Sequence, residues 1–183
     1  MAITIIGTMA KIIIPTINAM KTEGREYQGV LYAGLMITKS GPRVIEFNCR
    51  FGDPETQVLL PRLKSDLLPI LIACANKTLA KEKAIWTSEA CTCVVVASNG
   101  YPGKYEKGKV ITGIDKVKKA IVFHAGTKLG DGKVVTSGGR VLGVSALGAT
   151  IKESIDNAYK EIPLISFDGA YYRKDVGKKA LKK

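Results

Sequence analysis

Apolar positions change period twice in the first half of the chain. Within residues 9–23 they fall at Ile13, Ile17 and Met20, the spacing of one helical face, interrupted by Pro15. This predicts a helix that starts near the proline and stops at Gly24. Val30 to Thr38 then reads as a strand, Lys39-Ser-Gly-Pro42 as a turn, and Arg43 to Phe51 as a second strand. Gly52-Asp-Pro54 closes the hairpin and opens a helix, with Asp53 as N-cap, Pro54 at the first helical position and Glu55 favouring the positive end of the dipole. Pro61 ends or kinks that helix. A further helix is predicted over Asp66–Ala75, capped by Ser65 and bent or entered at Pro69.

From about residue 88 the pattern turns to short β-like runs separated by glycine turns. They are Cys91–Ala97, Lys109–Thr112, Ala120–Ala125, Val134–Thr136 and Gly139–Ala146. One helix follows, Thr150 to Ile162, with Ile151, Ile155, Ala158 and Tyr159 on its inner face. Tyr101-Pro-Gly103 and Tyr171-Tyr172 read as packing and turn residues. The charged, irregular stretch 77–88 marks a boundary, which gives a first domain over residues 1–82 and a β-rich second over 83–183. The fold class is α+β.

Composition adds three constraints. Hydrophobic residues at 46% and charged residues at 24% support a packed core rather than a disordered chain. The formal charge of +12 selects anionic partners, such as nucleotides and phosphorylated metabolites. Aromatics are only 7% and do not interleave with the lysines, so no specific nucleic-acid binding is expected. Four cysteines in a chain of 183 residues do not make a disulfide framework, and Cys91 and Cys93 read as buried strand thiols. His124 is the only histidine and there is no Cys-x-x-Cys, which argues against zinc. Met1–Thr8 lacks a basic leader and Lys11 interrupts the next apolar run, so neither an export signal nor a membrane span is expected. All this suits a reducing cytoplasm.

If Arg43–Phe51 is a strand, Val44, Glu46, Asn48 and Arg50 point one way, and Ile45, Phe47, Cys49 and Phe51 point toward a core. The first face lines up a carboxylate, an amide and a guanidinium. Magnesium takes hard oxygens and often only one or two protein groups, which Glu46 and Asn48 can supply. Arg50 can grip phosphate or carboxylate with two parallel hydrogen bonds, and Asp53 can accept from a substrate amine. A solvated strand with a Glu46–Arg50 ion pair and a plain helix cap explains the same residues equally well. His124 reads as a strand residue before a substrate contact, and Arg140, after two glycines, as a weak phosphate candidate.

A run of ordered motifs separates these readings. Gly29-Val-Leu-Tyr-Ala-Gly-Leu-Met36 and Val44-Ile-Glu-Phe-Asn-Cys-Arg-Phe-Gly-Asp-Pro-Glu-Thr-Gln57 are followed by Leu63-Lys-Ser-Asp-Leu67 and Ala97-Ser-Asn-Gly-Tyr-Pro-Gly103. Phe123-His-Ala-Gly-Thr127, Ser137-Gly-Gly-Arg-Val-Leu142 and Phe167-Asp-Gly-Ala-Tyr-Tyr-Arg-Lys-Asp-Val-Gly177 complete the series. From roughly residue 11 onward the chain resembles the phosphoribosylamine–glycine ligases (glycinamide ribonucleotide synthetases), ATP-grasp enzymes of purine synthesis. The resemblance implies the carboxy-terminal half of an ATP-grasp core, an antiparallel sheet with helices, plus a small β-rich domain. It implies Glu46 and Asn48 as ligands of Mg2+ or Mn2+, Arg50 and Asp53 as catalytic residues, and ATP, glycine and 5-phosphoribosylamine as substrates. Such ligases are longer, so a missing amino-terminal half or partner chain is expected to supply the nucleotide's cover, and residues 1–9 are expected to fall outside the family pattern.

Overall fold

The computed structural model describes residues 9–181, and Met1–Thr8 lie outside them together with the last two lysines. The chain forms two compact units. One comprises the residues up to Asp53 with Ser65–Ala84; the other comprises Pro54–Lys64 and everything from Ile85 on.

In the first unit a π-helical turn over Met9–Ile13 leads into α1 (Ile14–Thr22), with Pro15 in the first turn and Gly24 at φ +73° just past the end. Proline needs no N–H partner there, and glycine takes the left-handed conformation without steric cost. Strands β1 (Tyr32–Thr38) and β2 (Gly41–Asn48) form an antiparallel ribbon. Its register shifts between Gly34 and Leu35, so that Gly34 opposes Glu46 while Leu35 opposes Val44, and Ile45 is the extra residue of a bulge. Beyond the ribbon, α3 (Leu67–Ala75) is capped by Asp66, whose Oδ1 accepts from the Leu68 N–H at 3.0 Å. Ser65, the expected cap, instead donates from Oγ to the Lys83 carbonyl at 3.0 Å.

The ribbon corrects a core assignment. Ile45, Phe47 and Cys49 are exposed and Phe51 is only half-buried. Phe47 and Cys49 share an open hollow with Ile17 and Met20 of α1, which does not pack down into a closed layer over the ribbon. Ala73 is the one buried hydrophobic residue of this unit among those described.

The second unit carries the core. It opens with α2 (Thr56–Leu59), a single turn that starts three residues after Asp53. Asp53 is therefore not its cap; Glu55 occupies that place and makes no side-chain cap bond. A 3-10 turn over Leu60–Arg62 carries Pro61. The sheet that follows combines β3 (Ala90–Ser98), β4 (Ile121–His124), β7 (Arg140–Gly148) and β8 (Ala170–Tyr172) in the antiparallel order β4-β7-β3-β8. A separate hairpin pairs β5 (Thr127–Gly130) with β6 (Lys133–Thr136). Lys109–Thr112, expected as a strand, makes only isolated bridges from Val110 to Val135 and from Thr112 to Ser166.

Helix α4 (Ile151–Glu161) covers one face of that sheet with Ser154, Ile155 and Ala158, while Ile151 stays exposed rather than inward. Its approach is close. The Thr92 and Ser154 hydroxyls meet at 2.7 Å, and a Cβ on Gly148 would stand 2.4 Å from the Ser154 nitrogen. Ala158 of this helix joins Val94, Val96, Val141, Leu142, Val144, Ile162 and Phe167 in the buried cluster. A short α5 (Lys178–Leu181) ends the described chain.

Candidate active site

Glu46 and Asn48 sit on β2 with one residue between them, and cross-strand partners share a face. Glu46 therefore lies beside Gly34, and Asn48 beside Tyr32. The bulge at Ile45 breaks the simple alternation: Val44, opposite Leu35, belongs to the other face and leaves the polar row. Gly34 makes room for the glutamate, because a Cβ there would lie 3.0 Å from Glu46 Cγ. Asn48 Nδ2 donates to Glu46 Oε1 at 3.0 Å.

This pair fits a hard cation. Turning the Asn48 amide would present its oxygen beside the carboxylate, giving two of the six oxygens that magnesium requires. No group of three or more His, Cys, Asp or Glu that could hold a metal occurs among the described residues. The pair thus suits an ion that draws its other ligands from water and phosphate, not a closed protein cage.

The other residues named from the sequence are placed less simply. β2 ends at Asn48, so Arg50 is not in the strand; its Nη1 donates to the Phe51 carbonyl at 2.8 Å. Asp53 is exposed at the start of the turn over residues 53–55. Arg140 opens β7 in the second unit, half-buried, and its carbonyl accepts from the Gly126 N–H at 2.8 Å. His124 is exposed at the end of β4, with Nδ1 3.0 Å from Thr127 Oγ1.

Around Arg140 three of the quoted motifs converge. A Cβ on Gly126 would meet Gly138 Cα at 2.6 Å, and one on Gly139 would enter the Tyr101 ring at 2.1 Å. The glycines are there for close approach, and the Tyr101 ring packs against one of them, Gly139.

A hollow of about 460 Å³ in the same unit is lined by Ser98, Asn99, Lys104, Glu106, Lys109 and Asp168, among others. Lys109 Nζ lies 2.7 Å from Glu106 and 2.9 Å from Asp168, and both carboxylates push its pKa up. Ser98, Asn99 and Asp168 belong to two of the quoted motifs, but Lys104, Glu106 and Lys109 lie outside them, and no spacing along the chain joins the two sets.

The chain matches two models of the phosphoribosylglycinamide synthetase family: the ATP-grasp (A) domain over residues 4–56 and the C domain over residues 91–179. The first match begins at residue 4, so residues 4–9 do not fall outside the family as the motifs alone suggested. A phosphoribosylamine–glycine ligase from Caldanaerobacter subterraneus is 56% identical over 91% of this chain, and the chain covers 40% of that protein. The trifunctional purine biosynthetic protein adenosine-3 of Gallus gallus is 54% identical over 91% of the chain, which covers 17% of it. The crystal structure of the Thermotoga maritima phosphoribosylamine–glycine ligase superposes with a TM-score of 0.82 at 34% identity, covering 93% of this chain and 42% of that one. At 13% identity and a TM-score of 0.58, the biotin carboxylase domain of a Hydrogenobacter thermophilus 2-oxoglutarate carboxylase shares the fold over 84% of this chain and 37% of its own. The single-function ligases are thus spanned over about two fifths of their length. Two matched domains in the right order, and this identity along nearly the whole chain, mean that it belongs to the phosphoribosylamine–glycine ligase family.

Proposed function

We propose that this chain is the carboxy-terminal portion of an enzyme that joins glycine to 5-phosphoribosylamine at the expense of ATP. ATP phosphorylates the glycine carboxylate, and the amine of phosphoribosylamine attacks the resulting glycyl phosphate, giving glycinamide ribonucleotide, ADP and phosphate. The observation that carries the reading is the Glu46–Asn48 pair, held opposite a glycine that leaves it space. Glu46 and Asn48 would hold Mg2+ or Mn2+, whose charge serves the phosphates. Arg50 steadies the transferred phosphoryl group or the carboxylate that receives it, and Asp53 accepts from the amino group of glycine. Phosphoryl transfer asks mainly for such positioning and charge stabilisation.

Arg140, beside the seated Tyr101 loop, is the candidate for the phosphate of phosphoribosylamine. The four free thiols suit a reducing cytoplasm.

A second reading makes the chain a subunit that is inactive until a partner supplies the remaining lobes. The exposed apolar side chains of the ribbon, Ile37, Ile45 and Phe47, favour it. Both readings assign Glu46 the same work. Glu46→Gln in the complete or reconstituted enzyme should lower metal-dependent ATP turnover by about 100-fold or more while leaving the far-ultraviolet dichroism unchanged. Unchanged turnover would remove the metal assignment.

A further inference from the structure

β3 and β7 keep one register from Ala90 to Val96 and then slip by a residue. Val96 stands opposite Leu142, but Ala97 stands opposite Arg140, so Val141 is the extra residue of a bulge. The slip decides where Arg140 points. In an unbroken strand Arg140 and Leu142, two residues apart, would share a face. Leu142 and Val144 pair with Val96 and Val94, on the same face as Thr92, whose hydroxyl meets Ser154 of α4. Arg140 lies instead with Ala97 on the opposite face. A charge that regular pairing would drive into the core is turned away from it.

Ser98, next along β3, sits where the slip has to be held. Its N–H donates to the Gly139 carbonyl at 2.8 Å, and its Oγ donates to the Gly138 carbonyl at 3.1 Å. One residue thus binds two successive carbonyls just before Arg140. Ser98 is itself buried and paired with Ala170 of β8, which limits its own freedom. From the other side the Gly126 carbonyl accepts from the Ser137 and Gly138 N–H groups at 2.7 and 3.1 Å. The Tyr101 ring lies against Gly139, and the Tyr101 N–H returns to the Ser98 carbonyl at 3.1 Å. Any residue but proline at position 98 could supply the N–H bond; the bond to Gly138 needs a small hydroxyl side chain. All of these residues belong to the second unit.

We propose that Ser98 is a positioning residue for Arg140: its hydroxyl, on the Gly138 carbonyl, holds the β3–β7 slip that turns the guanidinium away from the core. The inference rests on the reading of Arg140 as the group that takes the phosphate of phosphoribosylamine. A grip on phosphate through two parallel hydrogen bonds depends on the angle at which the planar guanidinium is presented. A strand end free to change register would present it at several.

Ser98→Ala in the 183-residue chain removes the hydroxyl and leaves the backbone bond. Ribose 5-phosphate, followed by phosphorus NMR, is the probe. Its affinity should fall about fivefold in Ser98→Ala, the scale of one lost hydrogen bond. The order parameter of the Arg140 Nε–H should drop as well, while amides 90–95 of β3 keep their exchange rates. An unchanged Arg140 Nε–H signal would overturn the proposal. So would faster exchange throughout 90–95, which would make Ser98 a general prop of the sheet.

Arg140→Ala separates the two ideas. It should abolish binding of the probe. Parent affinity in Ser98→Ala, with binding lost in Arg140→Ala, would also overturn the positioning role. If Arg140→Ala binds the probe as the parent does, or the parent does not bind it, the phosphate reading fails instead. The Arg140 Nε–H signal then still decides whether Ser98 fixes the side chain.

Discussion

Glu46 owes its place to two neighbours that carry no chemistry. Ile45 takes up the extra residue of the bulge, and Gly34 leaves the space opposite. Gly34→Ala would put a methyl 3.0 Å from Glu46 Cγ, tighter than ordinary contact, and the glutamate must move. We expect Mn2+ affinity, followed by the broadening of Glu46 and Asn48 signals, to fall about tenfold with the ribbon register retained, the scale on which groups around a metal ligand act. Unaltered affinity would show that the site does not need the glycine. Away from the site, burial and then the neighbouring Cys93 push the Cys91 thiol up to about 11. Burial thus favours its neutral form: whatever stability this contributes is complete below the usual thiol range near 9 and is lost as pH climbs toward 11. At pH 9, iodoacetamide should label exposed Cys49 well before Cys91, and equal rates would contradict the assigned burial.

Among the elements, helix α4 is the one most plainly written in the sequence. Thr150 caps it by accepting from the Glu153 N–H at 3.1 Å, and the Glu153 carboxylate reaches back to the Ala149 N–H at 2.9 Å. Thr150→Ala should cost about 1 kcal/mol in urea unfolding, and a loss near zero would mean that packing alone holds the helix start. Strands β3 and β7 were equally legible, since their Val and Ala runs bury both faces. Less visible was the bulge, which inserts one residue without any compositional mark and so moved Val44 off the polar face. β5 offers one large apolar residue, Leu129, and β8 spans only Ala170–Tyr172, so neither shows a period. The start of α2 was misjudged because Asp53-Pro54-Glu55 carries every mark of a cap, yet the chain spends those residues on a turn first. Of the candidate residues, Glu46 and Asn48 could be paired by alternation alone. Arg50 could not, because β2 ends before it.

The whole molecule has a formal charge of +12, which suits substrates bearing phosphates and a carboxylate. No described helix is long and apolar enough to cross a membrane. The first unit buries little: Met36, Ile37, Ile45, Phe47, Leu68 and Ile72 are all exposed. An apolar face predicts a core only where a second layer closes over it, which is why the expected burial of Ile45 and Phe47 failed. With the chain spanning about two fifths of the ligases that it resembles, the reading proposed here gives it metal and phosphate ligands that act only beneath a supplied nucleotide-binding lobe. The most direct test is ADP release that depends on both glycine and phosphoribosylamine, measured with and without the amino-terminal half of such a ligase. The account predicts negligible release from the chain alone and substrate-dependent release once the half is added. No release from the mixture, with both parts folded and associated, would contradict it.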